Sequence, residues 1–211
     1  MNRKRMTRED SRELTTQRLL DAAEKVIAKK GLEGASVEDI TEAAGYSRGA
    51  FYSNFGSKSD LFIELLRRDH ERTSAEFFAL VDDKLPIEHI QARTREIYSG
   101  LFRDHECFIS WTEARLLSAR DPKFRAKVNA LMLEKRDQIA RFIEYLYRRL
   151  GTKPPVPPTL MAMGFMSLIE GVKLSGVSSP NEMTPKAAEA ILALFMDSVM
   201  ARARQPATDG T

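Results

Sequence analysis

In the stretch SRGAFYSNF, residues 47–55, Arg48, Gly49, Tyr52 and Ser53 recur at the three- and four-residue spacing that puts side chains on one face of a helix. Phe51 and Phe55 fall on the opposite face. The polar face combines a guanidinium, a bare backbone position, a phenol and a hydroxyl, and no carboxylate occurs between Ala43 and Ser59. Phosphate repels carboxylates, so such a gap suits a surface that meets nucleic acid. Arg48, near the start of the helix, can donate to the O6/N7 edge of a guanine, and Tyr52 can donate to a phosphate. Gly49 costs a helix about 1 kcal/mol relative to alanine and removes a side chain where backbone could lie against DNA. Ser57 and Lys58, opening the next helix, offer backbone amides, a helix dipole and a cation to a further phosphate. The plainer alternative is a surface helix pair in which Tyr52 merely packs.

Those residues need helices to hold them. Leu19, Ala22, Ala23, Val26 and Ile27 follow helical spacing, which predicts an amphipathic helix over 12–30 ended by Gly31. SVEDITEAAG reads as a short second helix, with Ser36 as cap, Asp39 at the capping-box position and Gly45 as the chain reversal. A third helix runs from Ser47 to about Phe55–Gly56. Ser57 and Asp60 repeat the cap-and-box pattern before a long fourth helix to about Asp82. Helices two and three, joined by a tight glycine turn, form a helix-turn-helix candidate whose inner side draws on Val37, Ile40, Ala44, Phe51 and Phe55. Five more helices are expected, from Pro86 to Arg103 and over 105–119, 122–150, 159–175 and 184–204, separated by Asp121-Pro122, GTKPPVPP and SSPNEMTP. No alternating strand pattern and no repeat is present. The expected fold is all-α with about nine helices: an arm and helix-turn-helix domain over 1–57, a helical bundle over 58–205, and a disordered tail over 206–211.

Composition bounds the chemistry. The 211 residues are 43% hydrophobic and 30% charged, a globular balance. Net charge is +3, and residues 1–18 carry the whole excess through Arg3, Lys4, Arg5, Arg8, Arg12 and Arg18 set against three acids. A basic arm can reach phosphates, although basic termini also serve as solubilising tails. The single Cys107 excludes an internal disulfide and fits a reducing cytosol. A charged opening lacks an apolar secretory core, and Glu170 and Lys173 interrupt the most apolar stretch, so a cytoplasmic protein without a membrane partner is expected. His70, His89 and His105 lie far apart, no C-x-x-C, G-x-S-x-G or glycine-rich phosphate loop occurs, and no metal, cofactor or catalytic site is expected.

Residues 12–62 resemble the N-terminal domain of the TetR family of bacterial transcriptional repressors, in the Ala22-Ala23 pair, Gly31, Ser36, Ile40, Ala44-Gly45, FYSNFGSK and Leu61. Tyr46 and Phe51 stand where aliphatic residues are commoner. The resemblance implies that the third helix enters the major groove with Ser47, Arg48, Gly49, Ala50 and Ser53 at its surface. It implies phosphate contacts from Ser36, Tyr52, Asn54 and Lys58; the charge of the arm, outside the resemblance, adds Arg3, Lys4 and Arg5 as further candidates. It further implies a helical C-terminal portion for dimerisation and ligand sensing.

That portion carries no comparably specific motif. Gly164, Leu168, Gly171 and Ser175 fall on one stripe of the eighth helix, and Ala187, Ile191, Leu194 and Ser198 on one face of the ninth. Together they could form half of a two-fold four-helix interface, or pack within one chain. Phe102, Phe108, Trp111, Met132, Met163 and Phe165 could line a cavity for a small hydrophobic or amphipathic ligand, or simply fill the core. Glu170, on a largely apolar helix, needs a partner: a cationic ligand, Lys173 or an arginine across a dimer. The reading is a homodimeric regulator on a palindromic DNA operator, most simply a repressor released by its ligand. A regulator that senses no small molecule, and an all-α carrier or enzyme, remain as rivals.

Overall fold

A computed structural model describes residues 7–81, 84–101 and 105–204. Among these residues the structure holds nine helices and no strand: α1 Arg8–Gly34, α2 Val37–Ala44, α3 Arg48–Asn54, α4 Lys58–Phe78, α5 Ile87–Leu101, α6 His105–Arg120, α7 Pro122–Arg149, α8 Pro158–Ser178 and α9 Pro185–Arg204. The expected elements are all present. Arg3, Lys4, Arg5, Phe102 and the tail over 206–211 lie outside the described residues.

The chain packs as two units, residues 1–70 with 105–130, and 71–104 with 131–211. This division differs from the boundary at residue 57 expected from the sequence. Leu61, Phe62, Leu65 and Leu66 of α4 belong to the first unit and are buried.

In the first unit α1 packs against α2, α3 and α6. Leu19, Ala23 and Ile27 of α1, Ile40 of α2 and Phe51 of α3 are completely buried. The phenyl rings of Phe62 and Phe124 stack with centroids 6.0 Å apart. Each such side chain contributes about 1.5–3 kcal/mol relative to exposure. Helix α1 begins four residues earlier than expected, because Thr7 and Asp10 form a reciprocal capping box. Gly31 breaks it as expected, at φ 72°, ψ 163°, yet one further turn follows. A side chain at Gly31 would also meet the Glu113 carboxylate of α6 at 3.1 Å.

In the second unit, one cluster unites Leu80, Ile90, Ile97, Phe142, Tyr145 and Leu146. Arg149 straps it by donating to the Leu85 carbonyl at 2.7 Å and the Tyr145 hydroxyl at 2.8 Å. A second cluster joins Phe165 of α8 to Leu192 of α9, with Phe165 and Phe195 stacked at 5.9 Å. Helix α8, with a mean hydropathy of 1.4, passes by length and composition as a membrane-crossing helix, longer than the interrupted stretch read from sequence. Its two faces account for that apolarity. Ala162, Phe165 and Val172 are buried, while Leu160, Met163, Leu174 and Val177 are more than half exposed. A helix apolar all round is one with apolar neighbours on more than one side.

Candidate nucleic-acid interface

The turn between α2 and α3 is built around Gly45 at φ 72°, ψ 31°, whose N–H donates to the Glu42 and Thr41 carbonyls. Nothing lies within 4 Å of a side chain added there, so the left-handed backbone alone demands glycine. Ser36 and Asp39 form the expected capping box on α2, at 3.0 Å in each direction. The Lys30 ammonium, 2.8 Å from Asp39, and then Ser36 hold that carboxyl down to about 2 from the ordinary 3.8. Ser47 caps α3 by accepting from the Ala50 N–H at 3.2 Å. Ser36 and Ser47 both accept with their oxygens in these caps, which leaves each hydroxyl hydrogen to donate outward.

Helix α3 divides into two faces. Phe51 is fully buried and Phe55 nearly so, their rings 5.7 Å apart. Ser47, Arg48, Gly49, Tyr52 and Ser53 are exposed, and Ala50 is half-buried behind them. Tyr52 keeps its ring edge-on to Phe51 at 5.2 Å while half of its surface stays open. A Cβ at Gly49 would meet only the Ser47 hydroxyl, at an ordinary 3.6 Å. Neither the backbone nor the packing of this chain requires glycine there. Arg48 Nη1 lies 2.8 Å from Glu38 Oε1 of α2, with both side chains more than half exposed.

Two of the residues assigned to phosphate turn inward. Lys58 donates to the Leu32 carbonyl at 2.6 Å, the Ala35 carbonyl at 2.7 Å and the Glu33 carbonyl at 3.3 Å. The break at Gly31 leaves the last carbonyls of α1 without helical partners, and the three N–H groups of one ammonium meet them. Asn54 accepts from the Thr16 hydroxyl at 2.9 Å and donates to the Ala50 carbonyl at 2.8 Å, tying α3 to α1. Both bonds hold the neighbouring helices against α1. Ser57 caps α4 as expected, but its hydroxyl also donates to Asp60 at 2.8 Å, so the box is not the reciprocal one. The Lys127 ammonium, then Ser57, lower the Asp60 carboxyl below its usual range.

The second unit holds a cavity of about 430 Å³ among α7, α8, α9 and the Pro155–Val156 segment. Ile139, Phe142, Phe165, Phe195 and Met196 line it, and no charged side chain does. Tyr147 turns its hydroxyl to the Val199 carbonyl at 3.1 Å, so its polar end is already engaged. Of the expected ligand residues among the described ones, only Phe165 lines this cavity. Phe108 and Trp111 are buried in the first unit, where the Trp111 indole donates to Asp69 at 2.8 Å. Met132 and Glu170 are half-buried, and Met163 is exposed on α8. Gly164 and Ser198, expected at a dimer interface, line the cavity instead and remain exposed. Gly171 and Leu194 are exposed, and nothing lies within 4 Å of a side chain added at Gly164 or Gly171. Leu168 faces the Phe165–Leu192 cluster, because the outward stripe of α8 runs through Leu160, Met163, Ser167 and Leu174. Ser175, Ala187 and Ile191 are half-buried. Among the described residues, no three His, Cys, Asp or Glu side chains come together as metal ligands.

Comparison with known proteins agrees with this geometry. Residues 19–65 match the family described as bacterial regulatory proteins, tetR family. The chain is 34% identical over 115 residues to the HTH-type transcriptional repressor AcnR of Corynebacterium glutamicum, covering 53% of this chain and 54% of that protein. It thus spans about half the length of the curated relatives it matches. A crystal structure of a putative TetR-family regulator from Rhodococcus superposes with a TM-score of 0.76 at 21% identity, covering 89% of this chain and 99% of that one. FadR of Bacillus subtilis, solved in complex with stearoyl-CoA, superposes with a TM-score of 0.70 at 20% identity, covering 84% and 96%. The match over residues 19–65 thus falls on the capped helix pair, the left-handed Gly45 turn and the exposed face of α3, and the chain as a whole shares its fold with these solved regulators.

Proposed function

We propose that this chain is a homodimeric, sequence-specific DNA-binding regulator that represses from a palindromic operator and is released by a small ligand. The observation that carries the reading is Gly49. It sits in the first turn of α3 beside Arg48 and Tyr52, exposed, with no intramolecular reason to be glycine. A close approach by another backbone or a phosphate supplies the reason. In this reading Arg48 reads a guanine edge, and Tyr52, Ser36 and Ser47 donate to phosphates. The repressor role of AcnR supports the sign of regulation. The exposed apolar stripe of α8 and Leu194 of α9 support a two-fold pairing that presents two α3 helices about 34–36 Å apart, one turn of DNA. A contiguous exposed apolar patch of this kind is what an interface between chains would cover.

The cavity lining supports a neutral, largely apolar ligand, because a charge there would find no counter-charge. The acyl chain of the stearoyl-CoA in complex with FadR of Bacillus subtilis is chemistry of that kind. Ligand and DNA then weaken each other by the same factor. Chemistry on a substrate has no support in the site, and the protein acts by binding, in the cytoplasm. Selection of DNA from a random pool by the full chain tests the reading: a two-fold symmetric sequence is expected, and its preference should fall about tenfold or more in Arg48→Ala.

A further inference from the structure

The sequence from Ala43 to Ser59 carries no acid, yet the fold returns one to this surface: Glu38 Oε1 lies 2.8 Å from Arg48 Nη1. A carboxylate beside a phosphate-binding face weakens binding to every DNA, so its position there asks for a reason. Helix α2 does not need it as a first-turn acid, since Asp39 already caps the helix and pairs with Lys30. Nor does the pair need to hold the fold, because exposed ion pairs contribute little. Side-chain exposures of 62% for Arg48 and 56% for Glu38 put it in that class.

We infer that Glu38 is a specificity-determining residue: it orients the Arg48 guanidinium toward a guanine edge and withholds it from phosphates elsewhere. The inference rests on the DNA-binding reading above. A guanidinium carries five donors in a rigid fork. Glu38 stands beside one nitrogen of that fork, Nη1, as an ion pair, which leaves the Nε and Nη2 edge to form the paired bonds to guanine O6 and N7. Where no guanine is present, Arg48 already has a charged partner and gains little by turning to a phosphate. The carboxylate therefore acts mainly against wrong sequences, and discrimination of that kind is set by the penalty on the competitor. The acid gap read from the sequence is real along the chain, and the fold closes it at one point.

The test uses the full chain, the duplex it selects from a random pool, and a scrambled duplex of equal length, titrated at several salt concentrations. Glu38→Gln is expected to bind the scrambled duplex about fivefold more tightly, with a steeper salt slope. Its operator-to-scrambled ratio should fall about tenfold. In an Arg48→Ala background the same change should leave the ratio untouched, because Glu38 acts through Arg48. A Glu38→Gln ratio within twofold of wild type overturns the inference, as does an equal fall in the Arg48→Ala background. If Glu38→Gln melts early, Glu38→Asp keeps the first-turn charge while stopping one methylene short of Arg48. It should lose the ratio too, and a wild-type ratio there is equally contrary. A wild-type chain that selects no sequence brings down the DNA-binding reading and this one together. A selecting wild type matched by Glu38→Gln brings down this one alone.

Discussion

The helix-turn-helix region and the α7–α9 bundle reach order by opposite means. Around α2 and α3 nearly every element end is specified by a polar contact: Ser36 with Asp39, Ser47 with the Ala50 amide, Lys58 with three carbonyls, Asn54 with Thr16. These contacts tolerate only certain atoms at certain places, so the exposed face is held rigid. Around the cavity, contacts are almost wholly apolar and non-directional, and they can re-form around a guest. A DNA reader needs the first kind of order, since geometry selects the base. A sensor of apolar molecules needs the second.

The largest expected effect breaks the first region alone. Phe51→Ala should cost about 4 kcal/mol, because a fully buried phenyl leaves a cavity among short helices. Segment-resolved hydrogen exchange should then rise across residues 19–55 and stay near wild type across 139–199. Equal loss of protection in both would show that the two regions are one cooperative body.

Next in size is the outer face of the second region. Leu194 is 71% exposed, so Leu194→Glu should leave the melting temperature of the protomer unchanged. It should weaken self-association by about a hundredfold, since charge is depleted from interface cores. Sedimentation at micromolar concentration reads the difference. A wild-type monomer, or a variant that stays dimeric, would remove these stripes from the interface.

A smaller effect sharpens the contrast within the first region. Lys58→Ala should cost about 2 kcal/mol, as charge-assisted bonds to three carbonyls are lost at a half-buried site. The salt slope of DNA binding should be unchanged. A flattened slope with no loss of stability would return Lys58 to phosphate contact.

The same contrast explains what could be read in advance. Helix ends were legible because caps, glycines and prolines act locally: Ser36 with Asp39, the Gly45 turn and Pro122 all sit within a few residues of what they determine. The two faces of α3 were legible because Phe51 and Phe55 contrast in type with Arg48 and Tyr52. The Thr7–Asp10 box carried a local signal too, but no apolar periodicity surrounds it. The inward bonds of Lys58 were not legible because its acceptors are backbone carbonyls more than twenty residues away, which leave no mark on residue type. Leu168 and Leu160 could not be told apart because α8 is apolar on every side, and periodicity then points nowhere. Residue type also does not distinguish Ile139, Phe142 and Phe195, which line the cavity, from ordinary core residues. Trp111 showed the converse, an aromatic that suggested a pocket and proved to be a satisfied core residue.

Sequence recognition by the exposed face of α3 is the central claim, and selection from random duplex DNA addresses it most directly. The full chain should enrich a two-fold symmetric sequence with a guanine at matching positions in each half. Arg48→Ala should relax the preference at that guanine and leave the flanking positions selected. Enrichment of no sequence by the folded wild-type chain, or the same sequence enriched equally by Arg48→Ala, would contradict it.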